Sequence, residues 1–427
     1  MPPATPSHSG RHPWWWIPSL YFTEGLPYVL VMTVSVVMYK RLGIDNTQIA
    51  FYTSLLYLPW VIKPIWSPVV DLVRTKRWWT VAMQLTIALG LLGVALSLPL
   101  GGFFAISLGF FWLMAISSAT HDIAADGFYM LALRDDQQAF FVGIRSTFYR
   151  LAMMSGEGAI LILAGWLEVR TGDNATAWSV VFLAVAAVMA LMAIYHGFIL
   201  PRPDSDQPTG TRAGLIKSFL DTFGSFFRKP QIGIILAFIL LYRLGESQLI
   251  KLAGPFLLDP AEKGGLGLDT ATVGWINGFV GVPGLVLGGI LGGVLASRHG
   301  LKYWIWWMVA AINLPNLAYV FLAWLQPEQI WIVASAIGIE KFGYGFGFTA
   351  FMLYLIYVAR GPQQTSHYAI ATGFMALGMM LPGMVSGWIQ AQIGYLPFFI
   401  WVMIATLPGF VITAFIPLDA AFGKKKA

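Results

Sequence analysis

Twelve runs of 20 or more mostly apolar residues, each closed by glycine, proline or charge, constrain this chain more than any other feature. Their approximate limits are 14–39, 47–66, 78–99, 103–131, 139–167, 177–200, 231–258, 270–296, 302–325, 330–359, 366–392 and 394–417. A helix needs about 20 residues to cross the hydrocarbon core of a bilayer, where only helices and closed barrels satisfy their own backbone. The pattern predicts an all-α membrane protein with twelve transmembrane helices. The first run carries Glu24 in its middle and lacks a small-residue cleavage site, so it reads as a span and not as a cleavable signal.

Composition closes off other classes. Charged residues make up 11% of the chain, against about 25% in soluble domains, which excludes a soluble enzyme. Cysteine is absent, which removes thiolate metal sites and iron–sulfur clusters. The sequence shows no nucleophile motif, phosphate-binding glycine loop or metal-ligand cluster, so neither enzymatic activity nor a cofactor is expected.

The net charge of +6 would suggest nucleic acid in a soluble protein, but its placement says otherwise. With the N-terminus cytoplasmic, sixteen Lys and Arg fall on the inner side, including Arg11, Arg74, Arg298 and Lys424 to Lys426. Four, Lys40, Arg41, Arg170 and Lys263, fall outside. This is the positive-inside asymmetry, so both termini are expected in the cytoplasm and the partner of the charge is the lipid bilayer, not nucleic acid.

The longest polar stretch, Pro201 to Pro230, separates six spans from six and predicts an N-terminal half of 1–200, a linker of 201–230 and a C-terminal half of 231–427. Within the linker, Leu215, Phe219, Phe223 and Phe226 recur at helical spacing beside Lys217 and Arg228. They predict a helix over 214–228, either amphipathic on the inner membrane face or packed on the bundle as a connector. Asp71, Arg74, Lys76 and Arg77 follow the second span, and Gly293 to Lys302, with Arg298, follow the eighth. Both segments are degenerate forms of the Gly-x-x-x-Asp-Arg-x-Gly-Arg loop typical of the major facilitator superfamily, at matching points of the two six-helix sets.

Six cations and six anions remain inside the spans: Lys63, Arg145, Arg150, Arg243, Lys251 and Lys341, with Glu24, Asp122, Asp126, Glu157, Glu246 and Glu340. Each isolated mid-bilayer charge costs roughly 2.5–3.5 kcal/mol on the insertion scale, so these must pair or face water. Spans four and five are joined by a short turn, Arg134 to Gln138, and residues equidistant from it share a height. Asp126 and Arg145 lie about 10 Å from the turn, Asp122 and Arg150 about 18 Å. The two acids share a helix face at i, i+4, whereas the two arginines are about 140° apart, so one acid–arginine rung closes at a time. The other arginine is left for an anionic ligand; a permanent staple between the helices is the alternative.

Glu24, near the midplane and followed by Gly25 and Pro27, joins Asp122, Asp126 and His121 as a proton-coupling candidate. A helix-packing role is the alternative for His121. Arg243 and Glu246, at i, i+3, are expected to neutralise each other. With Arg145, Arg150, Glu340 and Trp388 they complete the candidate substrate-binding set. Glu157 is expected to line a cavity. Lys63 and Lys251, nearer span ends, read as snorkelling side chains. Most tryptophans sit at span ends as an interfacial belt, leaving Trp66, Trp275 and Trp388 as deeper exceptions.

These motifs align with one family. Leu58 to Asp71, with its Lys63-x-x-Trp66-Ser-Pro-x-x-Asp71 core, resembles the second-helix signature of the peptide, acetyl-coenzyme A and drug transporter branch of the major facilitators. His121-Asp122-Ile-Ala-Ala-Asp126-Gly127 is similar to that branch's Gln-Asp-Ile-Ala-x-Asp-Gly motif, with His121 in place of Gln. Gly25-Leu26-Pro27, Thr372 to Ala376 and Ser386 to Trp388 resemble its first and eleventh helices. Within the branch, the resemblance is to AmpG-type muropeptide permeases, which import N-acetylglucosamine–anhydro-N-acetylmuramic acid fragments with protons. It implies gating or structural roles for Lys63, Trp66 and Asp71, with Arg74 and Arg298, and coupling by Asp122 or Asp126. Glu24, Arg243, Glu246, Glu340 and Lys341 have no counterpart in the permease pattern, which leaves the solute open.

The expectation is a monomeric, proton-coupled transporter of the cell inner membrane, in which the halves rock around a midplane cavity holding an anionic or sugar-containing solute. A carrier of acetyl-coenzyme A-type conjugates and a non-transporting membrane sensor are the alternatives.

Overall fold

The structure, a computed structural model, describes residues 11–208, 221, 223–361, 364–420 and 422–423, and these contain helices and no strand. Twelve crossings run in chain order. They are α1 (Pro13–Arg41), α2 (Asn46–Leu55, continued by Leu58–Val73), α3 (Lys76–Ser97), α4 (Phe103–Ala132), α5 (Asp136–Thr171) and α6 (Asn174–Ile199) in the first half. The second half holds α7 (Ile232–Leu258), α8 (Thr270–His299), α9 (Leu301–Leu325), α10 (Ile330–Ala359), α11 (Ser366–Ile393) and α12 (Tyr395–Thr413). Eleven are long and apolar enough to cross a bilayer. The exception is α2, which breaks at Leu56–Tyr57. Pro59 has no N–H to donate and its ring crowds the carbonyl four residues back, which places the break there.

The ends of the helices are written in short polar signals. Asp45, Asp173 and Asp269 cap α2, α6 and α8 by accepting from the backbone N–H of Gln48, Thr176 and Thr272, each at 2.9 Å. The hydrogen bonds from Thr176 hold the Asp173 carboxyl below its usual range. Interiors are packed through glycine: a Cβ on Gly288 would lie 2.0 Å from the Phe342 carbonyl of α10, and one on Gly345 would lie 2.0 Å from the Leu285 carbonyl of α8. In lipid, where apolar side chains gain little by meeting one another, such close approach is the main source of helix–helix attraction.

The two halves meet along α2–α11 and α5–α8. At the α5–α8 seam two π-helical segments, Ser155–Ile160 and Trp275–Gly281, face each other. A Cβ on Gly278 would lie 2.2 Å from the Gly158 Cα, so the backbones touch. The polar contacts between the halves lie elsewhere. Lys40 pairs with Asp259 at 2.6 Å, Asn46 donates to Gln390 and to Tyr395, each at 2.8 Å, and Thr270 donates to Glu168 at 2.7 Å. Glu168 also pairs with Arg41 at 3.1 Å. Among the described residues, every hydrogen bond or ion pair joining the halves is in the outer half of the molecule. The described polar closure between the halves is therefore on the outer side. Lys40 and Arg41, which the sequence pattern marks as outer-loop charges, are the cations of this closure.

Most of the expected helix over 214–228 lies outside the described residues. Its end, 223–227, is helical and buries Phe226, whose ring stands 5.6 Å from His367 and 6.5 Å from Phe374 of α11. Asp206, earlier in the linker, accepts from the backbone N–H groups of Lys76 and Arg77 at 2.7 and 3.0 Å and so caps α3.

Two outcomes follow from this packing. Replacing Gly345 by Val drives a side chain into the α8 backbone; overpacking of this kind costs typically 1–3 kcal/mol, and the melting temperature of the detergent-solubilised protein falls. Asp259→Asn weakens the outer closure. In the otherwise cysteine-free chain, a single cysteine at Gly254, which faces Val36 and Val37 of α1, is then labelled from outside about fivefold faster, as expected for a bias of ~1 kcal/mol.

Candidate functional site

A cavity of about 730 Å³ lies between the halves. Glu24, Lys63, Asp122, Arg145, Arg150 and Glu157 line it from the first half, and Arg243, Lys251, Lys341 and Tyr344 from the second. The charges are arranged in three levels.

On the first-half wall is an acid–base group built by α1, α2, α4 and α5, running from Asp126 and Arg145 on the inner side to Asp122 and Glu24 near mid-depth. Arg145 Nη2 stands 2.7 Å from Asp126 Oδ1, and the guanidinium lies 4.4 Å from the Tyr21 ring centroid and 5.1 Å from that of Tyr129. Tyr21 donates its hydroxyl to the same carboxylate oxygen at 3.2 Å. Asp122 accepts from Trp60 Nε1 at 3.0 Å and faces Lys63 Nζ at 3.9 Å. Glu24 is buried beside them, and its Oε2 has no hydrogen-bond partner. Three carboxylates thus share two cations.

At mid-depth, Arg243 donates to the Tyr344 hydroxyl at 2.5 Å and stacks 4.9 Å from the Phe348 ring, while its buried Nε has no partner. Lys341 pairs with Glu340 at 3.2 Å. Arg150 extends toward Gly289 of α8, with only tyrosines as its charged or titratable neighbours. Toward the outer end, Lys251 donates to Thr53 at 3.1 Å and lies 5.1 Å from the Tyr57 ring. Among the described residues Arg150, Arg243 and Lys251 have no carboxylate within ion-pair distance. Cation–π contact contributes about 0.5–2 kcal/mol, enough to hold a guanidinium or ammonium in place but weaker than a buried ion pair, so the donors stay available to an anion.

Several sequence expectations meet here. The Asp126–Arg145 rung is formed. The Asp122–Arg150 rung is not, because α2 brings Trp60 and Lys63 to Asp122 first. Arg243 and Glu246 form no direct ion pair: Arg243 has non-helical φ −113° and ψ 21° where α7 is broken, so the i, i+3 contact is not made, although the two charges still act on each other. Glu246 and Glu340 are each 1% exposed and lie behind the cavity wall, beside Lys341. Trp388 is 58% exposed on the outer flank of α11, beside Phe51 and Tyr52, and does not reach the cavity.

His121 faces away from the cavity. It accepts from Gln84 Nε2 at 2.9 Å in a network with Thr23 and His196 inside the first half. Lys63 and Lys251 do not snorkel; both line the cavity. Trp66 donates to Thr120 at 3.2 Å, and Asp71 pairs with Lys76 of the same half. Arg74 lies 5.9 Å from the Trp78 ring, and Arg298 is exposed at the end of α8. Among the described residues none of these four bonds to the opposite half. Sequence reading missed Tyr21, Trp60 and Tyr344, which position Asp126, Asp122 and Arg243. Trp60 alone carried a signal, since at three residues before Lys63 it shares that helix face.

The comparisons agree with this architecture. Residues 19–381 match the family model described as Major Facilitator Superfamily. The anhydromuropeptide permease of Escherichia coli K12 is 24% identical over 404 residues, covering 92% of this chain and 77% of the permease. A putative transporter, AmpG 4 of Rickettsia conorii, is 24% identical over 411 residues, covering 93% and 94%. Among solved structures, a mutant of the nucleoside transporter NupG superposes with a TM-score of 0.71 at 14% identity, covering 94% of this chain and 99% of that one. A bacterial homolog of the human lysosomal transporter Spinster, inward-facing and unoccupied, gives 0.69 at 15% identity, covering 95% and 97%. With twelve crossings around a central cavity, a family-model match over most of its length and AmpG-type permeases among its relatives, the chain belongs to the major facilitator superfamily of transporters.

Proposed function

We propose that this transporter imports an anionic, sugar-containing solute of the anhydromuropeptide class across the bacterial inner membrane, driven by protons and working as a monomer. The observation that carries the reading is the set of three cavity cations, Arg150, Arg243 and Lys251, held by aromatic rings, hydroxyls or nothing rather than by carboxylates. The acids gathered at the inner mouth support the proton half of the proposal. When Asp126 binds a proton it loses its charge-assisted bond to Arg145, and the guanidinium is free to take an acidic group of the solute. Release of the proton to the inner side restores the Asp126–Arg145 pair and expels that group. The tyrosines and Trp60 on the cavity wall supply faces on which a sugar ring stacks.

The test is uptake of labelled anhydromuropeptide into proteoliposomes under an imposed proton gradient. Wild-type protein accumulates the label, and collapse of the gradient abolishes accumulation; competition by coenzyme A with no effect of muropeptide would move the assignment to nucleotide conjugates. Asp126→Asn is expected to retain counterflow while losing gradient-driven accumulation by more than about tenfold, since it keeps shape and removes the proton site. Normal accumulation by this variant ends the coupling role. Arg150→Lys keeps the charge but loses the planar fork, and the dissociation constant rises about tenfold, measured by isothermal titration.

A further inference from the structure

Lys251 is a cavity cation whose hydrogen-bond partner belongs to the opposite half. It lies seven residues, about 10 Å, inside the outer end of α7, and Thr53 lies equally far inside the outer end of α2. The two belong to opposite halves, and Thr53 is the hydrogen-bond partner of Nζ. Lys251 is 2% exposed and no carboxylate is near enough to act on it. An ammonium offers three donors, so two are left over. Beside it, the Ser54 hydroxyl is fully buried and has no partner. Both Ser54 Oγ and Lys251 Cγ pack against Gly383 of α11, at 2.6 and 3.4 Å from a Cβ built there, so the hydroxyl and the lysine stem share one glycine gap. Thr53 donates to the Ile49 carbonyl at 2.7 Å, leaving its oxygen lone pairs for Nζ.

This cluster sits directly under the outer closure of Lys40–Asp259 and Asn46–Gln390. When the halves rock and that closure opens, α7 and α2 part at this level, and Lys251 loses Thr53 while Tyr57 goes with α2. A lysine left in that position needs an acceptor. We propose that Lys251, left across the opened gap from Ser54 of α2, forms an oxyanion subsite of the outward-open state, which takes a carboxylate of the arriving solute and hands Lys251 back to Thr53 as the outer side closes. Thr53 is then the internal substitute for the solute's acid, and its return weakens the hold on the solute as the inner side opens. This rests on the reading of the solute as anionic, and it adds a first docking point distinct from the mid-depth arginines.

The absence of cysteine allows a test that does not depend on the solute. A single Ser54→Cys variant is labelled from the outer side of intact spheroplasts with anionic sulfonatoethyl and cationic trimethylammonioethyl methanethiosulfonates. The ratio of their rates cancels any change in thiol reactivity. The anionic reagent reacts faster, and adding Lys251→Met lowers the ratio about tenfold, whereas Lys251→Arg preserves it. An unchanged ratio in Lys251→Met overturns the subsite.

A second arm uses the solute. In cysteine-free protein, Lys251→Met raises the outside KM for anhydromuropeptide about tenfold and leaves the inside KM, read in inverted vesicles, within about twofold. Equal changes on both sides overturn the proposal. If wild-type protein takes up no anhydromuropeptide while the labelling ratio behaves as expected, the solute assignment fails and the oxyanion subsite stands. Should Lys251→Met fail to insert, Thr53→Val supplies the check: it leaves the closed state without its substitute acceptor, and the inside KM falls several-fold. No fall in that variant removes the exchange.

Discussion

A charge carried into the hydrocarbon must be met by an opposite charge, a hydrogen bond, a ring face or water, and the twelve intramembrane charges of this chain are distributed among those solutions. Asp126–Arg145, Asp122–Lys63 and Glu340–Lys341 are ion pairs, and each is made within a single half. They travel with their half as a unit when it moves, so none of them opposes rocking. The contacts that do oppose it, Lys40–Asp259 and the bonds of Asn46 and Thr270, are confined to the outer half. Among the described residues the intramembrane ion pairs thus lie inside the halves, and the polar bonds between the halves lie outside the acid group of the cavity.

The cations left without carboxylates follow from the same constraint. A buried ion pair is difficult to open because each partner is then stranded, whereas a ring face or a hydroxyl releases a cation with little penalty. Arg243 between Tyr344 and Phe348, and Lys251 between Thr53 and Tyr57, are held in this releasable way. The arrangement suits a site that must bind an acid and let it go in every cycle. The acid group of the first half carries the opposite surplus, since three carboxylates face two cations.

The spans, the orientation and the matching loops were legible because they depend on local composition. The Asp126–Arg145 pair was legible for a related reason: a short turn makes α4 and α5 antiparallel neighbours, so height could be counted along the sequence. The partner of Asp122 was not, because it comes from α2, whose approach to α4 depends on the break at Leu56–Tyr57 and on how the first half packs. His121 follows the same rule. Adjacent to Asp122 in sequence, it is turned about 100° around the helix, which points it at Gln84 of α3 and away from the cavity. For Arg243 and Glu246, helical spacing failed because the helix itself is interrupted at Arg243. The outer cations were visible, but their use was not, since counting charges by side gives topology and is blind to the acids Glu168 and Asp259 standing opposite.

The seam between α5 and α8 shows why the moving parts are where they are. At Gly158 and Gly278 the halves touch backbone to backbone, inside two π-helical segments. A π-helical turn inserts an extra residue and loosens the regular hydrogen-bond ladder, and glycine leaves no side chain to interlock. A contact of that kind resists separation through dispersion but offers little resistance to tilting about it. Polar bonds, by contrast, are directional and are lost over an ångström or two. The seam is thus held in two ways, by dispersion where glycine meets glycine and by directional polar bonds on the outer side.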